Sequence, residues 1–392
     1  MPDKPMTYAS TGVSYDSMDP FKRACQKRAA RTANNASRLG VEPLEWTRGE
    51  SVYVVRLRWG QTAPLYIGHV EEGLGTKNLV ANAYRQLRIA KKLQEITGKT
   101  YYDQIAQCTV ATIVNDMATL NIKPVGIAMH AAAGSSECFA DEARNADLIE
   151  GWGNVCDIAR AIWDGGETPT LKGLIDPDGI VLAGSSWGVS DVIFNPANIQ
   201  NEDVIVFLES SGIHANGLTL ARSIADKLPN GYATLLPDGR MYGEVLLEPT
   251  HIYSDFVEDC ERYGVEIHYA VNITGHGWRK LMRAEQLFTY SINELPPSLH
   301  IFPFIQEYGL VTNEEAYGNL NMGAGYAFFM RESSWLQLVD TYNVNGYDKK
   351  SRFRPHKVGR VLASQEKRVV IIPVKDSKGN TLEFKADSLA VR

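Results

Sequence analysis

At 392 residues the chain is longer than one hydrophobic core usually serves, so two domains are expected. Its 44% hydrophobic and 22% charged content suit a folded protein, and a net charge of −6 gives no basis for nucleic acid or an anionic membrane as a partner. Five scattered cysteines with no CxxC pair argue against a disulfide framework or a structural zinc site. A polar N-terminus and the lack of a run of roughly 18 apolar residues argue against a signal peptide or membrane span, so a cytoplasmic location is expected.

Residues 1–50 read as polar and partly helical, with a basic run at 22–31. The alternating, β-branched stretch SVYVVRLRW at 51–59 predicts a strand, and 65–69 a second. Helices are expected over 78–97 and 105–120, then a short buried strand over 124–132. The spacing of Leu148, Val155 and Ile162 predicts one long helix over 140–163, ending at Gly165. A strand follows at 180–189, and the polar stretch 195–203 is the expected domain boundary, giving domains 1–195 and 196–392. The second half reads as strand 204–208, helices 218–228 and 249–263, and strands 267–271, 325–330 and 369–374. The fold class expected is α/β (α+β) in two domains.

Four stretches carry candidate chemistry. In EGLGTK at 72–77, glycines beside a helix start let backbone amides approach a phosphate, with Lys77 as a positive charge; a plain turn with a solvated lysine reads as well. Asn115-Asp116 sits in the apolar run TVATIVNDMATL, where a carboxylate is costly unless it is paired, caps a helix or binds a metal such as magnesium. Gly165-Gly166-Glu167-Thr168 is either a helix end or the source of a second magnesium carboxylate. SSGIHANG at 210–217 places Ser210, Ser211, His214 and Asn216 among glycines between a strand and a helix, as an anion-binding loop or a structural one.

Together and in order, these stretches resemble the aminoimidazole ribonucleotide (AIR) synthetase family, the phosphoribosylformylglycinamidine cyclo-ligases. The similarity begins at Tyr8-Ala9-Ser10-Thr11-Gly12-Val13 and runs through EGLGTK, Val114-Asn115-Asp116, Pro124, Gly165 to Thr168 and AGSSWGV at 183–189. It continues through SSGIHANG, LLEPTHIY at 246–253, ITGHG at 273–277 and LNMGAG at 320–325. The resemblance implies a homodimer built through N-terminal sheets, ATP and Mg2+, and cyclisation of formylglycinamidine ribonucleotide through an iminophosphate. It implies a nucleotide site at Gly73, Gly75, Thr76, Lys77 and Asn115, and magnesium at Glu72, Asp116 and Glu167. Ser210, Ser211, His214 and Asn216 would hold substrate or transferred phosphate, with Thr274 and Gly275 in the interdomain cleft. Lys77, Asp116 and His214 are the implied catalytic residues.

The chain departs from the family at several acidic positions. Glu72 replaces an aspartate, and aspartates are replaced at Cys108, at Met129 or His130, and at Ile180-Val181. Asn272 and His276 stand for a histidine and a glycine, and His130 or His276 are candidates to compensate. Lys22 or Lys27 could approach the nucleotide from the N-terminal segment. Two further readings remain: a same-superfamily ATP-dependent enzyme with another substrate, and a non-catalytic homodimeric binding protein. Selenophosphate synthetase is disfavoured, because no cysteine lies with a lysine in a glycine-rich N-terminal loop.

Overall fold

The computed structural model describes residues 4–11, 15–58, 63–91, 99–344 and 353–389. Gly12, Val13, Trp59 and positions 92–97 of the expected helix lie outside the described residues.

The first half follows helix α1 (Tyr15–Ala30) with strands β1 (Val41–Pro43), β2 (Tyr53–Leu57) and β3 (Leu65–Leu74), then helices α2 (Thr76–Lys91) and α3 (Tyr102–Ala118). Strand β4 (Lys123–Ala133), helix α4 (Glu142–Ile158), β5 (Ile162–Glu167) and β6 (Ile180–Ser190) complete it. The strands form a six-stranded sheet in the order β1-β2-β3-β6-β4-β5, antiparallel except for β4–β5. In β6 the even positions are buried and the odd ones exposed or half-buried, the period-two signature of a sheet with one covered face. Helix α3 lies on that covered face, and glycines let it come close. A Cβ at Gly184 would fall 2.9 Å from the Ile113 side chain, and one at Gly188 would fall 2.6 Å from Met117.

The second half comprises β7 (Val204–Glu209), α5 (Leu218–Ala225), α6 (Tyr242–Leu246), α7 (Ser254–Arg262), β8 (Tyr269–Asn272) and β9 (Phe288–Ile292). Helices α8 (Ile301–Gly309) and α9 (Asn313–Asn319), β10 (Ala324–Met330) and α10 (Glu332–Val344) follow, then β11 (Pro355–Ala363), β12 (Arg368–Lys375) and β13 (Thr381–Lys385). Its seven-stranded sheet runs β13-β12-β9-β11-β7-β10-β8, with β12–β9 the parallel pair. Every residue of β10 is buried, which explains its unbroken apolar sequence: both faces are covered. One face packs Val204, Val206 and Phe328 under Phe256 and Leu338 of α7 and α10. The other packs Phe207, Val271 and Phe329 into a core shared with Val54, Ile113 and Met117 of the first half. The two halves therefore meet through hydrophobic core, and α3 is buried nearly all round because it lies between them.

Chain order and spatial grouping part at the N-terminus. The amide of Met6 donates to the Gly309 carbonyl at 2.9 Å, and that of Tyr8 to Glu315 Oε1 at 2.7 Å, so residues 4–11 lie on the second half. Two expected helices differ from what forms. The helix expected over 140–163 ends at Ile158, where Arg160 takes a left-handed φ of 56°, and Ile162–Glu167 instead pairs with β4 as an edge strand. The helix expected over 249–263 begins only at Ser254, because Asn115 of α3 binds both the His251 carbonyl and the Tyr253 amide and ties down that stretch outside the helix.

Candidate functional site

A cleft of about 760 Å³ opens between the halves. The C-terminal ends of β3 and α3 supply Glu72 and Asp116, and the start of α2 supplies Thr76. The loop into α5 supplies Ala215, Asn216 and Gly217, and the turn after β8 supplies Thr274, Gly275 and His276. Helix α1 closes one side with Met18, Phe21, Lys22 and Cys25. Thus Glu72, Thr76, Asp116, Asn216, Thr274 and Gly275, scattered over some two hundred positions of sequence, share one cavity. Gly73 lines a small recess beside it, again with Glu72, Asp116 and Asn216.

The electrostatics of this cleft are unusual. Asp116 is buried in the last turn of α3, where the helix dipole disfavours an anion, and its carboxylate accepts from Asn272 Nδ2 at 2.7 Å. Glu72 is open to the cleft but recessed between its walls. Desolvation and the neighbouring Asp116 push its carboxyl up to about 7, against Lys280 and Lys22. Two carboxylates crowded in this way invite a cation. Among the described residues no group of three or more His, Cys, Asp and Glu side chains could hold a metal by itself. The pair nevertheless fits magnesium, a hard ion that is commonly held by one or two carboxylates plus water and phosphate oxygens.

Lys280 and Arg283, which sequence reasoning did not single out, are the other charged members. Both line the cleft and are almost wholly buried, on a 3-10 helix spanning Gly277–Arg283. The segment kinks at Met282, so the tertiary structure and not a regular helix face brings both to the cleft; their three-residue spacing in the stretch that continues ITGHG was the signal available. Lys280 Nζ donates to Thr274 Oγ1 and to the Asn272 carbonyl. Burial and Arg283 bring it down to about 8, against Asp116 and Glu72. His276 is likewise pushed down, to about 3, by burial and by Arg279, Lys280, Lys22 and Arg283, so it is a neutral imidazole near pH 7. Lys22 reaches the cleft from α1, whereas Lys27 is not among its lining residues.

Several other expected site residues form a buried seam between the halves. Lys77 is fully buried, and its ammonium donates to the Glu248 carbonyl at 2.6 Å, the His214 carbonyl at 3.1 Å and Cys108 Sγ at 3.0 Å. Those three bonds use all its protons, so Lys77 does not point at a ligand in the cleft. His214, with a left-handed φ of 61°, accepts from the Ser211 amide at Nε2, which places its proton on Nδ1. Burial, His251 and Lys77 hold its imidazole well below the ordinary value, so it is neutral and offers a phosphate no charge. Ser210 Oγ donates to Asn321 Oδ1 and Ser211 Oγ to the Pro249 carbonyl, while Asn115 is spent on residues 251 and 253. Gly75 forms the half-buried junction between β3 and α2.

Glu167 takes a third position. It is exposed on edge strand β5, and strand register puts it in one row with His130, Ala183 and Gly73. Paired residues in a row point to the same face, and Glu72 belongs to the next row, so Glu167 and Glu72 face opposite sides of the sheet. Val181 and His130 lie with Glu167 on the open face; Met129, paired with Gly184, faces the helices. Cys108 belongs to the seam, where its sulfur receives Lys77 and both the amide and hydroxyl of Thr250. The missing acids therefore alter the seam and the open face and leave the Glu72–Asp116 pair intact.

No protein-family model matches the chain. Among curated proteins it is similar to the phosphoribosylformylglycinamidine cyclo-ligase of Carboxydothermus hydrogenoformans, 29% identical over 375 residues covering 93% of this chain and 98% of the relative. The cyclo-ligase of Methanocaldococcus jannaschii is 32% identical over 280 residues, covering 70% of this chain and 74% of the relative. Among solved structures, the fold is shared with HypE in a HypE–HypF complex at 14% identity and a TM-score of 0.54, covering 86% of this chain and 93% of that one. AaThiL complexed with AMPPCP and TMP gives 12% identity and a TM-score of 0.54, covering 86% and 91%. These structures establish a common α+β architecture of two sheets.

Proposed function

The chain belongs to the phosphoribosylformylglycinamidine cyclo-ligase family, and from that premise we propose that it cyclises formylglycinamidine ribonucleotide to AIR with ATP, in de novo purine biosynthesis. An amide oxygen is a poor leaving group, and phosphorylation makes it a good one. The amidine nitrogen of the same molecule then closes the ring, and holding both ends of one substrate in a cleft makes that step favourable in entropy. The chain's own part is to bind, orient and exclude water.

The observation that carries this reading is that Glu72, Asp116, Asn216 and Thr274, drawn from both halves, line one cleft. Glu72 and Asp116 are the residues that would hold Mg2+, which when bound neutralises phosphate charge. Asn216 and Thr274 would position the ligand, with Gly73, Gly75 and Thr76 on the nucleotide side. Lys77, Asn115, Ser210, Ser211 and His214 support the site by holding the loops that carry it. Glu167 could join the metal only across a subunit contact.

A homodimer, two domains meeting at 195/196 and a cytoplasmic location belong to the same reading, which includes no nucleic acid or membrane partner. No helix among the described residues is long and apolar enough to cross a membrane. The open face of the first sheet supports the dimer: Val181, Trp187 and Ile162 are exposed there, an apolar surface suited to a second copy. A dimer in light scattering that Trp187→Glu converts to monomer is the expected result; a monomeric parent protein would remove the idea.

The activity test is AIR formation by purified protein with Mg2+, ATP and formylglycinamidine ribonucleotide, with one phosphate released per ring closed. Absence of phosphate release would refute the reaction. Release with a different amide would favour a same-superfamily enzyme of other specificity, the reading that the altered open-face positions support.

A further inference from the structure

We propose that Lys280 and Arg283 form an anchor for a phosphoryl group of the cleft's ligand. The inference rests on the ligase reading for the identity of that ligand, but the anchor follows from the geometry alone.

Both side chains are cations that folding removes from water, at 7% and 8% residual exposure. Such burial is costly unless charge and hydrogen bonds are matched. Elsewhere in this protein the match is made internally: Lys77 commits all three protons to protein acceptors. At the cleft it is left incomplete. Lys280 donates to Asn272 and Thr274, which leaves one ammonium proton with no assigned acceptor. Arg283 donates from Nη1 to Ser51 Oγ at 2.6 Å and also hydrogen-bonds Tyr269, while its buried Nε–H has no acceptor among the described residues. Neither residue forms an ion pair among the described residues; the facing anionic groups, Glu50, Asp116 and Glu72, act on them only at longer range. Glu50 is engaged by the Tyr269 hydroxyl at 2.5 Å.

Two cations that line one cavity, neither neutralised by an ion pair among the described residues and each with a donor the protein leaves unspent, suit a phosphoryl group. Its oxygens take charge-assisted hydrogen bonds from an ammonium and a guanidinium together. The nearby carboxylates would repel a bare phosphate, so this wall and the Glu72–Asp116 wall are complementary: one receives the anion, the other a divalent ion that accompanies it. The same chemistry could be presented by the nucleotide's phosphates or by the ribonucleotide's own phosphate.

Calorimetric titration of the full-length protein distinguishes these sources, using Mg–ATP against adenosine and formylglycinamidine ribonucleotide against its dephosphorylated riboside. Lys280→Met is expected to weaken a phosphorylated ligand about tenfold or more, without weakening its dephosphorylated counterpart, and Lys280→Arg to retain most of the binding. Loss in the Mg–ATP arm alone places the anchor on the nucleotide; loss in the ribonucleotide arm alone places it on the ribose phosphate. If Lys280→Met does not fold, Lys280→Gln, which keeps a hydrogen-bonding amide without charge, carries the same comparison. Unchanged binding in a folded variant, or equal weakening with and without phosphate, overturns the proposal. A parent protein whose phosphoryl binding depends on Lys280 but which forms no AIR would retire the ligase reading and leave the anchor standing.

Discussion

The seam around Lys77 and the cleft around Asp116 lie side by side, and both are rich in polar residues that the sequence brings to notice. In the seam the main polar groups meet protein partners: Lys77 has three acceptors, His214 accepts an amide, Asn115 bridges two backbone groups and Ser211 reaches a carbonyl. In the cleft the account stays open, with a raised carboxyl at Glu72, an anion at the unfavourable end of α3 and two cations with unspent donors. Polar side chains satisfied within the protein build architecture; those left poised at a cavity await a ligand. Residues adjacent in sequence, Thr76 and Lys77 or Asn115 and Asp116, fall on opposite sides of that division.

Substitutions at paired positions break or sharpen this contrast. Asp116→Asn removes one of the two carboxylates proposed to hold the metal, and a loss of about a hundredfold or more in the rate of phosphate release is expected with little change in melting temperature. If activity survives while stability collapses, Asp116 belongs to the architecture instead. Lys77→Met should do the reverse. It strands two carbonyls in the seam and is expected to cost about 3 kcal/mol of unfolding free energy by denaturant titration, with a smaller effect on nucleotide KM in protein that remains folded.

A pH series sharpens the cleft side. The Glu72 carboxyl lies near 7 rather than 4.5 in the folded protein, so the stability its protonation contributes is present below pH 4.5 and lost as pH rises through about 7. A divalent ion competes with that proton. Apparent Mg–ATP affinity should fall as pH drops below about 7, approaching tenfold per unit, with proton release on binding, and Glu72→Gln should flatten the profile. An unaltered profile in that variant would assign the metal elsewhere. The smallest effect is expected for His214→Gln, which offers the Ser211 amide another acceptor: about 1 kcal/mol in stability and no shift in the pH–rate profile, because the buried imidazole does not titrate near neutrality. A lost acidic or basic limb in that variant would return His214 to the chemistry.

Much of the architecture was legible because it is periodic. The strict alternation in β6, the apolar run of β10 and the helical pattern of α3 each record one covered face, two covered faces or complete enclosure. The errors have local causes. Ile162 continues the spacing of Leu148 and Val155, but Arg160 breaks the helix and β4 offers Ile162–Glu167 a partner strand, which helical periodicity cannot anticipate. Gly217, Gly277 and Gly325 did mark real close approaches near the site, whereas a Cβ at Gly73 or Gly75 would meet only ordinary contacts. Lys280 and Arg283 lacked such a flag, because a lysine or arginine in sequence reads as solvated until burial is known.

By itself the sequence determined the family and the two-sheet α+β fold, since ordered motifs and local hydrophobic patterns are properties of the chain read in line. Only the tertiary structure decided which polar residues face the cleft, which are spent in the seam and which, like Glu167, stand on the far side of a sheet. The physical reason is that a charge's role depends on what surrounds it in space. Desolvation, opposing charge and the presence or absence of an acceptor are supplied by segments far away in the chain, and no local pattern encodes them.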